Sequence, residues 1–181
     1  WDDRALAARM DEARERLARA EVLRRALALG TELVLVTGGE PLLQPSALPL
    51  LRDLCDAGRT VLLETSGERD ISAVDARVHR IVDMKAPGSG EEARNRLENL
   101  ELLGARDQLK LVLSDRADYE WARALILRTQ VATRAAEVLL SPVHAELDPK
   151  DLVAWALEDN LPVRVQLQLH KYIWGRDAQG V

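Results

Sequence analysis

The strongest constraint on the fold is a regular alternation of strand-like and helical segments after Gly30. The strand-like runs are residues 33–37, 60–65, 80–84, 108–113, 137–140 and 163–169. The helical patterns between them are residues 45–56, 91–103, 119–129 and 149–159. Strands that alternate with helices join in parallel through the helical connections. The pattern therefore predicts an α/β protein with a parallel sheet.

The number of strand–helix units limits the architecture. Six units are too few for a closed eight-stranded barrel, so they favour an open or partial (β/α)6-type barrel or a doubly wound sheet. The runs LVLV at 33–36 and TVLL at 60–63 are apolar on both faces, which is typical of central parallel strands. In these folds ligands bind at the carboxyl ends of the strands, and the candidate site is expected there.

Composition excludes several classes of protein. Of the 181 residues, 47% are hydrophobic and 30% are charged, and no repeat or linker interrupts them, so residues 1–181 are predicted to form a single domain. The net charge of -5, with no strongly basic segment, argues against a nucleic-acid partner. No apolar run is long enough to span a bilayer and no signal peptide is evident, so a cytoplasmic location is expected.

Two features concern the first third of the chain. Residues 2–29 carry a helical pattern that Gly30 ends, and the chain begins at Trp1 rather than Met, so a missing N-terminal segment is expected. The chain has a single cysteine, Cys55. By itself it forms neither an intrachain disulfide nor a thiolate metal cage, and it is predicted to be a small buried residue on a helix.

The stretch LVLVTGGEPLLQ, residues 33–44, places two glycines and a carboxylate at the end of a buried strand. Gly38 and Gly39 free the backbone for unusual φ values and close approach to a ligand. Glu40 would offer a carboxylate to a cationic group, most simply an ammonium. A plain turn with an exposed glutamate is the alternative. No GxxxxGK[ST] motif follows, so a phosphate loop is excluded.

Polar residues follow other strands as well. ETSG ends the second strand, DMK ends the third, and Ser141-Pro142 ends the fifth. Lys85 comes directly after an apolar strand, where it could bind a substrate carboxylate or pair with Asp83 or Glu64. Both readings stay open at this point.

The last predicted strand alternates strictly between apolar and polar residues. The polar positions are Arg164, Gln166, Gln168 and His170, and a period of two puts them on one face. A polar face turned into a barrel predicts a ligand cavity, and an edge strand with one solvated face is the alternative. His79 and His144 have no such setting and are predicted to be surface or loop residues. No serine-hydrolase elbow or histidine-rich metal spacing is present.

Six motifs together resemble the 7-carboxy-7-deazaguanine synthase family of radical S-adenosylmethionine (SAM) enzymes. They are LVTGGEPLLQ, LLETSG, DMKAPGSG…ENL, LKLVLSDRADYEWA, LLSPV and VQLQLHKYIWG, and they run from Leu33 to the C-terminus. GGEP alone is shared across the superfamily, whereas its combination with ETSG and QLHKYIWG is specific. The resemblance implies a partial (β/α)6-type parallel barrel of the radical SAM kind.

The resemblance also implies two groups of site residues. Those implied to bind SAM are Gly38, Gly39 and Glu40 at the methionyl amino group, Thr65 and Ser66 beside it, Asp83, Met84 and Lys85 at the next strand end, and Ser141, Pro142, Val143 and His144 near the adenosine. Those implied to contact the pterin substrate are Thr37 and His170. No residue is assigned to a metal.

The implied reaction is the ring contraction of 6-carboxy-5,6,7,8-tetrahydropterin to 7-carboxy-7-deazaguanine, in queuosine and related deazapurine biosynthesis. In that family a reduced [4Fe–4S] cluster cleaves SAM to a 5′-deoxyadenosyl radical, and Mg²⁺ assists the step that loses ammonia. The resemblance further implies a homodimer and a reductant such as flavodoxin or ferredoxin.

The chain departs from the family in its cysteines. The family holds its cluster through a three-cysteine motif ahead of GGEP, whereas Cys55 stands alone after it, so this chain is expected to be inactive by itself. Two alternatives stay open. One is another radical SAM enzyme of the glycyl-radical activase type, against which the PGSG loop and the QLHKYIWG terminus count. The other is a cluster-free, non-catalytic relative that binds a small molecule or a partner.

Overall fold

A computed structural model of the chain describes residues 16–175. Its strands are β1 Leu33–Val36, β2 Thr60–Thr65, β3 His79–Lys85, β4 Gln108–Leu113, β5 Glu137–Pro142 and β6 Arg164–Val165. They form one sheet in the order β1-β2-β3-β4-β5-β6, and every neighbouring pair is parallel. The α/β prediction with a parallel sheet is confirmed, and the sequential order is that of a partial parallel barrel.

Five α-helices accompany the sheet in the described part of the chain. They are α1 Arg19–Ala28, α2 Ala47–Asp56, α3 Arg116–Thr129, α4 Pro149–Glu158 and α5 Leu169–Ile173. Asp115 caps α3 by accepting from the Asp118 N–H, and Asp148 caps α4, which has Pro149 in its first turn. Both starts follow the usual preference for a carboxylate cap and an early proline. The part of the predicted helix 2–29 before residue 16 lies outside the described residues.

The two faces of the central strands differ in burial. One face carries fully buried side chains of the core, which are Val61, Leu63, Val82, Met84, Leu109, Leu111 and Leu113. The same core contains Leu51 and Leu54 from α2 and Tyr119 from α3. The opposite face carries half-buried residues at alternate positions, among them Glu64, Asp83, Lys85 and Lys110. The sheet therefore has an apolar face toward the helices and a charged face toward the concave side of the barrel.

The prediction that LVLV forms a central strand was wrong. β1 lies at the edge of the sheet, and among the described residues its one strand neighbour is β2. Leu33 is 57% exposed and Leu35 is 47% exposed. An apolar run therefore did not distinguish a central strand from an edge strand. The run shows that the side chains are hydrophobic, but it does not show on how many sides the strand pairs with other strands.

The prediction of a strand over residues 163–169 was also wrong in extent. β6 has two residues, and Leu169–Ile173 form α5 instead. The ladder with β5 ends with the bond from the Gln166 N–H to the Leu140 carbonyl. The next donor from β5 would be residue 142, and this is a proline without an N–H, so the pairing cannot continue.

The predicted helix at residues 91–103 is replaced by two short 3-10 segments, Glu92–Arg94 and Leu97–Leu102. Asn95 exchanges two hydrogen bonds with the backbone of Lys85, at 2.8 and 2.9 Å. Asn99 is fully buried and donates to the carbonyls of Gly67 and Arg69. These two amides tie the segment to neighbouring strand ends, and this tertiary bonding overrides the helical pattern.

Candidate active site

The turn after β1 has the unusual backbone that its glycine pair predicts. Gly38 has φ +94° and Gly39 has φ +53°, and residues other than glycine rarely adopt such backbone angles. Glu40 then begins a 3-10 turn, Pro41–Leu43, and its carboxylate accepts a hydrogen bond from the Leu42 N–H. The turn thus ends β1 and aims a carboxylate back across the strand ends.

Glu40 is held in place by the end of the neighbouring strand. Its carboxylate accepts from Thr65 Oγ1 at 2.8 Å, from the Ser66 N–H at 2.7 Å and from Ser66 Oγ at 2.6 Å. Burial raises the pKa of the Glu40 carboxyl, but these hydrogen bonds and the one from Leu42 outweigh burial and hold the pKa below its usual value. Glu40 is therefore an oriented anion at neutral pH.

A first cavity of about 300 Å³ opens beside this carboxylate. Its walls are formed by Glu40, Leu43, Ser66, Glu68, Lys85, Glu91, Arg94 and Asn95. Arg94 pairs with Glu68 at 2.7 Å and with Glu91 at 3.1 Å. Within residues 16–175, no Lys, Arg or His forms an ion pair with Glu40. The cavity thus combines an anchored carboxylate that lacks a cation with a nearby lysine, a combination suited to a zwitterionic amino-acid group.

A second cavity of about 420 Å³ lies on the far side of Lys85. It is lined by Asp83, Lys85, Ala86, Gly88, Ser89, Lys110, Val112, Ser114, Asp118, Val143, Glu146 and Gln168. Lys85 lines both cavities and donates to Asp83 Oδ2 at 3.0 Å. Of the two readings of Lys85 from the sequence, pairing with Asp83 is present, and the position between two cavities leaves room for a ligand contact as well.

Sequence reasoning missed the ion pair at the centre of the sheet. Lys110 on β4 donates to Glu64 on β2 at 2.7 Å, and Thr37 Oγ1 lies 3.5 Å from the other Glu64 oxygen. The available signal was a lone lysine in QLKLVL, a strand that is otherwise apolar after its first residue. This pair crosses β3, so it could not be read from either strand separately.

The other predicted site residues differ in burial and in their position relative to the two cavities. The side chain of Met84 is in the core, and Ser141 and Pro142 are buried at the end of β5. Val143 lines the second cavity. His144, predicted from the pattern to be a surface or loop residue, follows β5 half-buried and makes an edge-to-face contact with Tyr172, with ring centroids 5.1 Å apart. Residue 170 lies in α5, and its side chain is outside the described part of the structure.

The described residues do not fit an iron–sulfur cluster. Residues 16–175 contain no group of three or more His, Cys, Asp or Glu side chains that could hold a metal ion. Cys55 is half-buried on α2, and burial raises the pKa of its thiol, which disfavours the thiolate that a cluster requires. The cluster is therefore not assigned to any residue described here.

SAM, in contrast, fits the residues present. The hydroxyls of Thr65 and Ser66 can rotate away from Glu40, which frees lone pairs of its carboxylate for an ammonium, while the N–H groups of Leu42 and Ser66 keep the carboxylate in place.

Among the described residues, no helix is both long and apolar enough to cross a lipid bilayer.

Comparison with known proteins gives a consistent result, although no protein-family model matches the chain. It is 45% identical over 164 residues to the 7-carboxy-7-deazaguanine synthase of Chlorobaculum tepidum, covering 89% of this chain and 74% of that protein. It is 44% identical over 162 residues to the 7-carboxy-7-deazaguanine synthase of Koribacter versatilis, covering 82% and 72%.

A solved structure shares the fold. It is Streptococcus suis SuiB bound to precursor peptide SuiA, which matches with a TM-score of 0.60 at 10% identity and covers 86% of this chain and 43% of that one. This likeness, together with the sequential parallel order of the strands, confirms the predicted partial parallel barrel. The identities and coverage of the curated relatives show that the chain belongs to the 7-carboxy-7-deazaguanine synthase family, whose members are radical SAM lyases.

Proposed function

We propose that the protein binds SAM at the first cavity and serves in the ring contraction of 6-carboxy-5,6,7,8-tetrahydropterin to 7-carboxy-7-deazaguanine. The observation that carries the proposal is the setting of Glu40, an anchored anion without a basic partner among the described residues, on the wall of a cavity that also holds Lys85. Family membership argues against the glycyl-radical activase alternative.

Glu40 would bind the methionyl ammonium, because it is the anion of this cavity whose charge no described arginine or lysine neutralises. Gly38 and Gly39 shape the turn that presents it, and Thr65 and Ser66 orient its carboxylate. Lys85 would take the methionyl carboxylate with the N–H groups that Asp83 leaves free, since an ammonium has three donors. SAM bound there would supply a radical only after one-electron reduction by an iron–sulfur cluster, for which the described residues offer no ligands.

The other SAM contacts are proposed from the family. Ser141, Pro142 and Met84 are buried and would act through the backbone. Asp83 would contact SAM beside Lys85, with which it pairs. Val143 and His144 are half-buried beyond β5 and would lie near the adenosine. Thr37 and His170 would contact the pterin. For this family we also propose a Mg²⁺ requirement, a reductant such as flavodoxin or ferredoxin, a homodimer and a cytoplasmic location.

Glu40→Ala tests the proposal directly. The change removes the anion, and we expect SAM affinity to fall by about tenfold or more, the loss typical of a charge-assisted hydrogen bond. Isothermal titration calorimetry measures the dissociation constant, and far-UV circular dichroism confirms that the variant is folded.

Glu68→Gln is the matched control. Glu68 lines the same cavity, but its charge is already paired with Arg94, so SAM affinity should change by less than about threefold. Unchanged SAM affinity in folded Glu40→Ala protein would reject the proposed role of Glu40.

A further inference from the structure

A third cavity, of about 630 Å³, shares no lining residue with the two cavities at the strand ends. One of its walls is the 3-10 segment Leu97–Leu102, and the other is the end of α3 with Arg134 after it. We call this cavity the α3 groove. Arg134 donates to the Leu100 carbonyl at 3.3 Å and to the Thr129 carbonyl at 3.1 Å. Its guanidinium therefore ties the two walls together, and the groove is formed without a partner.

The charges of the α3 groove are balanced between its two walls. Glu98 and Glu101 lie on one wall, and Arg128 and Arg134 lie on the other. Within residues 16–175, neither Glu101 nor Arg128 forms an ion pair, and Glu98 approaches Arg96 at 3.9 Å. The groove thus presents an unpaired acid on one side and an unpaired base on the other. A surface of this kind is complementary to a second copy of itself.

Exposed leucines accompany these charges. Leu97 lines the groove and is 44% exposed. Leu102 and Leu127 adjoin the two unpaired charges in sequence, and they are 40% and 54% exposed. Removing such apolar side chains from water is favourable, and exposed apolar side chains that cluster on a surface mark interaction sites. In a symmetric pair of chains, the leucines of each copy can enter the groove of the other.

We infer that the α3 groove is the contact between two copies of this chain related by a two-fold axis. In such a contact the same surface meets itself, so Glu101 of each copy faces the partner's Arg128. Because the net charge is -5, two copies repel each other at long range, and contact is favoured where the local charge is balanced, as it is in this groove. The inference rests on the homodimer proposed above and gives that dimer a contact surface.

Sedimentation equilibrium of charge-swapped chains tests this contact. All chains carry Leu35→Lys, so that the exposed edge of β1 adds little to association. Arg128→Glu brings two glutamates together at each contact, and Glu101→Arg brings two arginines together. We expect each change to raise the dimer dissociation constant by about tenfold or more, because like charges would then face each other across the interface.

Mixing the two single variants gives a sharper result. A chain with glutamate at both positions then meets a chain with arginine at both positions, so opposite charges face each other at both contacts. The mixture should therefore form heterodimers with a dissociation constant within about threefold of that of the parent chain. The double variant should form homodimers for the same reason.

Lys150→Glu and Glu158→Arg are the matched controls. They make the same changes of charge at exposed positions of α4, outside the groove. The dimer dissociation constant should therefore change by less than about threefold. Thermal unfolding confirms that every variant is folded.

Three results would overturn the inference. Dimers that persist unchanged in both single variants would place the contact elsewhere on the molecule. Single variants that dissociate but do not combine when mixed would show that Glu101 and Arg128 do not face each other. A parent chain that stays monomeric at all concentrations would reject the contact together with the proposed homodimer and leave the groove to a different partner. The effect of Glu40→Ala on SAM binding tests the proposed cofactor site separately in each case.

Discussion

Glu40 shows how a single carboxylate can be prepared for a cation. Its hydrogen-bond donors come from its own turn, through Leu42, and from the end of the neighbouring strand, through Thr65 and Ser66. Two backbone N–H groups fix its position, while two hydroxyls can exchange partners. The residue is therefore both a link between β1 and β2 and a candidate ligand for SAM.

The lowered pKa of Glu40 makes its contribution to stability depend on pH. The stabilisation is fully present above the ordinary pKa of 4.5 and is lost as the pH falls through the lower folded-state pKa. Glu40→Gln should reduce the free energy of unfolding by about 1 kcal/mol at neutral pH, because a neutral amide accepts these hydrogen bonds less strongly. The difference should shrink as the pH falls to about 3. Urea unfolding across this range measures it.

A matched variant separates this effect from a general loss of charge. Glu98 is 75% exposed in its side chain and lies 3.9 Å from Arg96, so Glu98→Gln should change stability by less than about 0.5 kcal/mol throughout. If Glu40→Gln lost the same stability at low pH as at neutral pH, the hydrogen bonds to the ionised carboxylate would not be its cause.

Among the elements, the turn after β3 is fixed by a carboxylate from α3. Asp118 is 2% exposed and accepts from the Gly88 N–H at 2.8 Å, the Ser114 N–H at 2.9 Å and Ser114 Oγ at 2.6 Å. Burial raises the pKa of Asp118, but these three hydrogen bonds outweigh it and lower the pKa below its usual value. Asp118 thereby joins the 3-10 turn Pro87–Ser89 to the start of α3.

Gly88→Ala should disrupt this junction. A Cβ at Gly88 would overlap Ser114 Oγ and lie 2.6 Å from Asp118 Oδ2, and both atoms are held by hydrogen bonds. We expect a loss of about 1–3 kcal/mol in the free energy of unfolding, the usual cost of overpacking. Thermal and urea unfolding measure it.

The control for this change is Gly104→Ala. A Cβ there meets only Asp107 Oδ2, at 3.9 Å, and Gly104 has no positive φ. Its effect on stability should be small or slightly favourable. Equal destabilisation by the two changes would show that backbone freedom, and not crowding at Asp118, sets the cost at Gly88.

The existence of each strand could be predicted more reliably than its ends or the strands with which it pairs. The alternating pattern predicted all six strands, and β2 and β4 have the predicted bounds. It could not predict that Pro142 stops the ladder to β6, since the missing N–H matters only in the observed register. The Glu40 turn could be predicted because its glycines and carboxylate are adjacent. The Lys110–Glu64 pair could not, since its members are 46 residues apart.

At the scale of the whole molecule, the described part of the sheet, within residues 16–175, is open at β1. In the described residues no strand pairs with its outer edge, and Leu33 and Leu35 are exposed there. An exposed apolar edge strand favours association with another chain. We expect the 181-residue chain to associate as its concentration rises, and Leu35→Lys to shift the mean mass toward that of a monomer in sedimentation experiments.

Leu157→Lys is the comparison for this prediction. Leu157 is 74% exposed and belongs to α4 and not to β1, so the added charge should leave association unchanged. If Leu157→Lys dissociated the chain and Leu35→Lys did not, the contact would belong to the helical layer.

The sequential strand order also determines when each part of the site is completed during synthesis. Each new strand leaves the ribosome after the strand it pairs with, so pairing can proceed from the first strand to the last. Glu40 needs partners only 25 and 26 residues further along. The second cavity, by contrast, needs Gln168, which follows the last strand of the sheet. A growing chain would therefore form the Glu40 turn early and complete the second cavity only near the end.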